Sequence, residues 1–105
     1  MKQIDLIKRA TEIKKGGEKA ALATIIKTRG STPRKTGSRM IIFPCGKIEG
    51  TIGGGCGEAE VIETAFKVIQ TNKPEKQTVD LTRGLFYEDG GICGGIMDVF
   101  IEPLS

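Results

Sequence analysis

Gly53-Gly54-Gly55-Cys56-Gly57-Glu58 is the stretch on which the rest of the chain turns. It stands between a run that reads as a strand, Lys47 to Ile52, and one that reads as a helix, in which Ala59, Ile62, Ala65, Phe66 and Ile69 recur at helical spacing. The turn between a strand and a helix is where a backbone offers free N–H groups, and here a thiol, to the same ligand. Consecutive glycines let the chain bend sharply and let a ligand approach closely, because no Cβ intervenes. Read alone, the stretch is equally a plain tight turn. The positive end of the helix favours an anion and a thiolate at Cys56, whereas Glu58 and Glu60 in its first turn oppose both unless nearby arginines compensate. The two standard nucleotide motifs are not met: three glycines are not the Walker pattern, and in the dinucleotide fingerprint Gly57 comes too soon while Glu58 occupies the last glycine's place.

On the N-terminal side, Leu6, Ile7, Ala10 and Ile13 predict an amphipathic helix that ends at Lys14-Lys15 before Gly16-Gly17. Ala20 to Thr28 is apolar almost throughout, as a central strand covered on both faces would be. Arg29-Gly30-Ser31-Thr32-Pro33-Arg34-Lys35-Thr36-Gly37-Ser38-Arg39 then breaks the pattern into a basic loop. Its arginines and hydroxyls are the groups that bind phosphate or another oxyanion well, and a solvated surface loop is the plainer alternative. Arg39 to Phe43 and Lys47 to Ile52 read as a hairpin about Pro44-Cys45-Gly46, with Cys45 at a turn and without chemistry.

On the C-terminal side, the second helix stops near Thr71-Asn72-Lys73-Pro74, since Pro74 cannot continue it. Lys76 to Leu81 reads as a strand, and Thr82 to Gly91 as a loop long enough to suggest function. Ile96 to Glu102 alternates, with Ile96, Asp98, Phe100 and Glu102 on one face and Met97, Val99 and Ile101 on the other, and Pro103 stops it. Before it, Cys93-Gly94-Gly95 places a second thiol among glycines, either in a simple turn or opposite Cys56 at the end of the sheet. The expected fold is therefore α/β: a single small domain over residues 1–105, with a mixed sheet of about five strands and two helices packed on it.

Composition narrows the chemistry. The chain has no histidine, so Ser-His-Asp triads, Cys-His dyads and His-ligated metals are excluded within it, and acid–base work falls to Glu, Asp, Lys, Tyr or Cys. Three cysteines, an odd number without an export signal, argue for reduced thiols, and their spacing argues against a structural zinc site. A net charge of +3 is too small to argue nucleic-acid binding. No apolar run approaches the roughly 18 residues of a membrane span, and the first residues lack a secretory h-region, so a cytoplasmic protein without a membrane association is expected.

Taken together, Arg29-Gly30-Ser31-Thr32-Pro33-Arg34, Gly37, Met40, Gly50-x-Ile52-Gly53-Gly54-Gly55-Cys56-x-Glu58, Cys93-Gly94-Gly95 and Phe100-Ile101-Glu102-Pro103-Leu104 resemble the XdhC/CoxI family of accessory proteins. The resemblance implies a chaperone that binds the molybdenum cofactor (molybdopterin) transiently, allows its sulfuration and passes it to an apo-molybdoenzyme of xanthine dehydrogenase type. A cysteine desulfurase is the implied sulfur source. Arg29, Gly30, Ser31, Thr32 and Arg34 would hold the cofactor's phosphate or pterin oxygens, with Gly53, Gly54, Gly55 and Cys56 doing so from the helix side. Cys56 would ligate the metal or lie beside it, Cys93 with Gly94 and Gly95 would bring a second thiol, and Glu58 would cap the helix or exchange a proton. Longer relatives carry a further Rossmann-like domain, implying either a separate Rossmann-like subunit or a homodimer that completes the pocket. Family members tend to have an aliphatic residue at position 57, and Gly57 is expected to loosen the helix start. The alternatives are a Cys56-dependent sulfur-transfer enzyme and a non-catalytic docking subunit.

Overall fold

The computed structural model describes residues 3–30, 32, 34–53, 57–81 and 94–104. Within them the elements are α1 (Gln3–Gly16), β1 (Ala21–Arg29), β2 (Arg39–Ile42), β3 (Ile48–Gly50), α2 (Glu58–Thr71), β4 (Glu75–Asp80) and β5 (Ile96–Pro103). Five strands and two helices are the expected α/β content. The sheet order is β3-β2-β1-β5-β4, so β1 is central, and each of the four pairings is antiparallel where the sequence reading had left the sheet mixed. The reason is the connectivity: α2 carries the chain from one edge strand to the other, so the two strands it joins never become neighbours.

Strand alternation sorts the core into two layers. Ala21, Ala23 and Ile25 of β1, Met40 and Ile42 of β2, and Met97, Val99 and Ile101 of β5 face α2, which buries Val61, Ala65 and Val68 against them. Ile41 and Phe43 face the other way and pack on Leu6, Ala10 and Ile13 of α1. The buried stripe of α2 differs from the expected one: Ala65 belongs to it, but Phe66 is 39% exposed and Ile62 and Ile69 only flank the core. Likewise Ile7 of α1 is 47% exposed, and β1 is not covered on both faces along its length, since Ile26 and Lys27 are exposed.

Turn chemistry closes the elements as expected. Asn72 caps α2 in the left-handed region, donating its N–H to Val68 O, and Gly46 N–H bonds Phe43 O at 2.9 Å in the β2–β3 hairpin, with Cys45 exposed beside it. Glu49 of β3 accepts a hydrogen bond from Arg9 of α1 at 3.2 Å, which raises the Arg9 guanidinium pKa above its ordinary value. No helix among the described residues is long and apolar enough to cross a membrane.

Candidate functional site

The C-terminal end of β1, the N-terminal end of β5, the C-terminal end of β4 and the start of α2 meet at one end of the sheet. There Gly30 of the basic loop meets Gly94 and Gly95. A Cβ built on Gly30 would stand 3.4 Å from Gly95 Cα and 3.5 Å from Gly94 O, so the absence of side chains lets the two backbones pass closely. Gly95 O accepts from Leu81 N–H at 2.9 Å, which ties the end of β4 to the same place.

The glycine turn before α2 reaches this end through Gly57. Helix α2 begins at Glu58, and Gly57 is its N-cap with φ 76°, buried against Val79 and Leu81. This corrects the expectation that Gly57 loosens the helix start. The residue lies outside the helix proper, so helix propensity does not apply to it, and its left-handed backbone and lack of a Cβ are what let α2 press onto β4.

Glu58 is engaged across the turn. Its Oε2 accepts from Thr51 Oγ1 at 2.6 Å, and Thr51 Oγ1 in turn accepts from Gly53 N–H at 3.2 Å. Thr51 and Glu58 thus bracket the glycine segment, joining the strand before it to the helix after it. Thr51→Val should lower stability by about 1–2 kcal/mol, the scale of a partly buried hydrogen bond to a charged group, and should speed amide exchange at Gly53. Glu58→Gln should cost less; unchanged exchange at Gly53 in Thr51→Val would mean that the bracket does not hold the segment.

The basic loop is folded back on its strand. Gly37 N–H bonds Ile25 O at 2.8 Å, Ile25 N–H bonds Ser38 O at 2.9 Å, and Thr32 Oγ1 donates to Arg34 O at 2.9 Å. Arg34 is exposed. Arg29 takes a direction the sequence did not indicate: its Nη2 lies 4.0 Å from Asp98 Oδ2, on the sheet face away from α2. The Thr51 contact of Glu58 and the Asp98 contact of Arg29 therefore lie on opposite sides of the sheet, although both stretches reach the same end of it.

Of the expected site residues, Arg29, Gly30, Thr32, Arg34, Gly53, Glu58, Gly94 and Gly95 are described. Ser31, Gly54, Gly55, Cys56 and Cys93, with the loop 82–91, lie outside the described residues, and so does the question of whether the two thiols meet. Among the described residues no group of three or more His, Cys, Asp or Glu converges as a metal site. Asp98 is the residue that sequence reasoning passed over; the available signal was a carboxylate flanked by Met97 and Val99 in an otherwise apolar strand.

These features define a small α/β domain whose glycine-rich and basic stretches converge at one end of an antiparallel sheet. The chain belongs to the XdhC and CoxI family, whose model matches residues 13–81. It is 42% identical over 82 residues to the uncharacterized protein YqeB of Escherichia coli (strain K12), covering 78% of this chain and 15% of that protein. To a probable xanthine dehydrogenase subunit of Bacillus subtilis (strain 168) it is 32% identical over 94 residues, 84% of this chain and 27% of the other. A solved xanthine dehydrogenase structure from Bacillus halodurans superposes with TM-score 0.81 and 32% identity over 100% of this chain and 31% of that one. The chain thus spans less than a third of the length of each of these relatives.

Proposed function

We propose that this chain is an accessory domain for a xanthine dehydrogenase-type molybdoenzyme, binding the molybdenum cofactor transiently while it is sulfurated and handed on. The observation that carries the reading is the convergence at the sheet end: Gly30 against Gly94 and Gly95, Gly95 bonded to Leu81, and Gly57 pressed on Val79 and Leu81. Family membership and the xanthine dehydrogenase relatives support the accessory role.

The residues suit an anionic, flat, phosphate-bearing ligand. Glycines at the crossing leave peptide groups approachable, and arginines of the adjoining loop supply forked donors for phosphate oxygens. In this reading Arg29, Thr32 and Arg34 hold the anionic groups, and the N–H groups of residues 53–56 bind from the helix side. Glu58, already held by Thr51, fixes the shape of the glycine segment. Cys56 is the residue placed beside the metal, and Cys93 supplies the second thiol. When bound, the cofactor carries the molybdenum chemistry that the recipient enzyme uses. A cysteine desulfurase and the apoenzyme are the partners this role requires.

Anaerobic incubation with molybdenum cofactor, followed by gel filtration and assay of molybdenum and pterin in the protein peak, tests the reading. Stoichiometric retention is expected, falling at least roughly tenfold in Arg34→Ala, as loss of a charge-assisted contact predicts. Retention no greater than in an Arg34→Ala, Cys56→Ala double variant would overturn it.

A further inference from the structure

Asp98 is the sole buried polar or charged side chain among the described residues, at 5% exposure, and neither the core nor the glycine motifs accounts for it. Its Oδ1 accepts from Thr78 Oγ1 at 2.8 Å. Its Oδ2 has Arg29 Nη2 and Lys76 Nζ each at 4.0 Å, so the two cations are at most about 8 Å apart, one from β1 and one from β4, with β5 between them.

A bulge creates this arrangement. The pairing of β1 with β5 shifts between Ile25 and Lys27, taking Ile26 out of the alternation. Without the shift, Lys27 and Arg29 would follow Ala21, Ala23 and Ile25 onto the α2 face. With it, Lys27 stands opposite Asp98 and Arg29 opposite Ile96, and both side chains share the face of Asp98. Lys27, Arg29 and Lys76 therefore share this face with two carboxylates, Asp98 and, opposite Ile96, Asp80, and Arg29 and Lys76 are the cations that reach Asp98.

Stability is a poor reason for such a cluster. Exposed cations at 4.0 Å add little, and Arg29 and Lys76 are 60% and 59% exposed, whereas burying the carboxylate costs several kcal/mol. Direction is a better one, because a guanidinium fork recognises phosphate only when it is held in register with it. We propose that Asp98 is a positioning residue that sets Arg29 and Lys76 as a clamp for the phosphate group of the ligand, making Lys76 a binding residue outside every glycine and arginine motif. The clamp rests on the cofactor-binding reading above.

The test uses the fluorescent pterin obtained by air oxidation of the cofactor, with its phosphate intact or removed by phosphatase. Affinities are measured for the full chain and for Asp98→Asn, Lys76→Gln and Arg29→Gln, with thermal unfolding as a control and the ¹⁵N relaxation of the Arg29 side-chain Nε as a direct report on its order. Asp98→Asn removes a negative charge, so bare electrostatics predicts tighter binding of the phosphorylated probe. Positioning predicts the opposite sign: binding weaker by about tenfold, a mobile Arg29 Nε, and a similar loss in Lys76→Gln. The dephosphorylated probe should bind the original protein and all three variants alike. Equal or tighter binding of the phosphorylated probe to Asp98→Asn and Lys76→Gln overturns the clamp while leaving cofactor binding intact; failure of the unmodified chain to bind either probe overturns both. Should Asp98→Asn not fold, the exposed pair Lys76→Gln and Arg29→Gln decides the matter by the same phosphate-dependent loss.

Discussion

Replacing Gly57 by alanine should lower the thermal midpoint of unfolding by at least about 10 °C, corresponding to a loss of roughly 2–5 kcal/mol. Two independent costs meet at this position. The backbone sits at φ 76°, where an L side chain is strained. A Cβ there would also overlap Cγ1 of Val79, a β-branched and therefore stiff core side chain, and press on Leu81 Cδ2 at 3.2 Å. The costs separate in a double variant. Val79→Ala in the Gly57→Ala background should recover part of the loss, because it relieves the overlap, but not the part due to φ. A Gly57→Ala protein within about 1 °C of the original would show that the start of α2 is not pinned against β4. The function follows the same contact: if the glycine segment is set by this packing, Gly57→Ala should reduce cofactor retention even at temperatures where the protein stays folded.

Gly57 also marks how far the sequence could be read. Periodicity found each helix and strand, because alternation and the Gly and Pro stops are local signals: β5, with Met97, Val99 and Ile101 on one face, is as expected. It misplaced the stripe of α2. Val61, Ala65 and Val68 and the flanking series Ile62, Phe66 and Ile69 both satisfy helical spacing, and which one is buried depends on how the helix lies on the sheet. The bulge at Ile26 was illegible for a related reason. Neither Gly nor Pro marks it, and an apolar run looks uniform whichever way its residues point. Because that bulge decides the face of Arg29, the partner of the arginine could not be foreseen, and Asp98 read as an ordinary outward residue of an alternating strand. Motif membership, by contrast, depends on order along the chain, so the basic loop, the glycine turn and Cys93-Gly94-Gly95 could be grouped before the approach of Gly30 to Gly94 and Gly95 was visible.

Gly50→Ala is expected to cost as much as Gly57→Ala, about 2–5 kcal/mol, yet without a comparable rescue. Its φ is 82°, and a Cβ there would stand 2.8 Å from Arg39 O and 2.9 Å from Leu6 Cδ2. The leucine can shift, being the far end of a side chain. The carbonyl cannot, because Arg39 and Gly50 belong to the paired strands β2 and β3, with Gly50 opposite Met40. Relief must therefore come from opening the β3 edge, the shortest strand of the sheet. Hydrogen exchange should locate the damage: amides in the β2–β3 hairpin should lose protection first, with those of β1 and β5 holding until global unfolding. Gly50 immediately precedes Thr51, so the bracket to Glu58 should loosen in the same variant and Gly53 should exchange faster. Loss of stability spread evenly over all five strands would instead mean that Gly50 acts through the global fold, and that the hairpin does not set the geometry of the glycine segment.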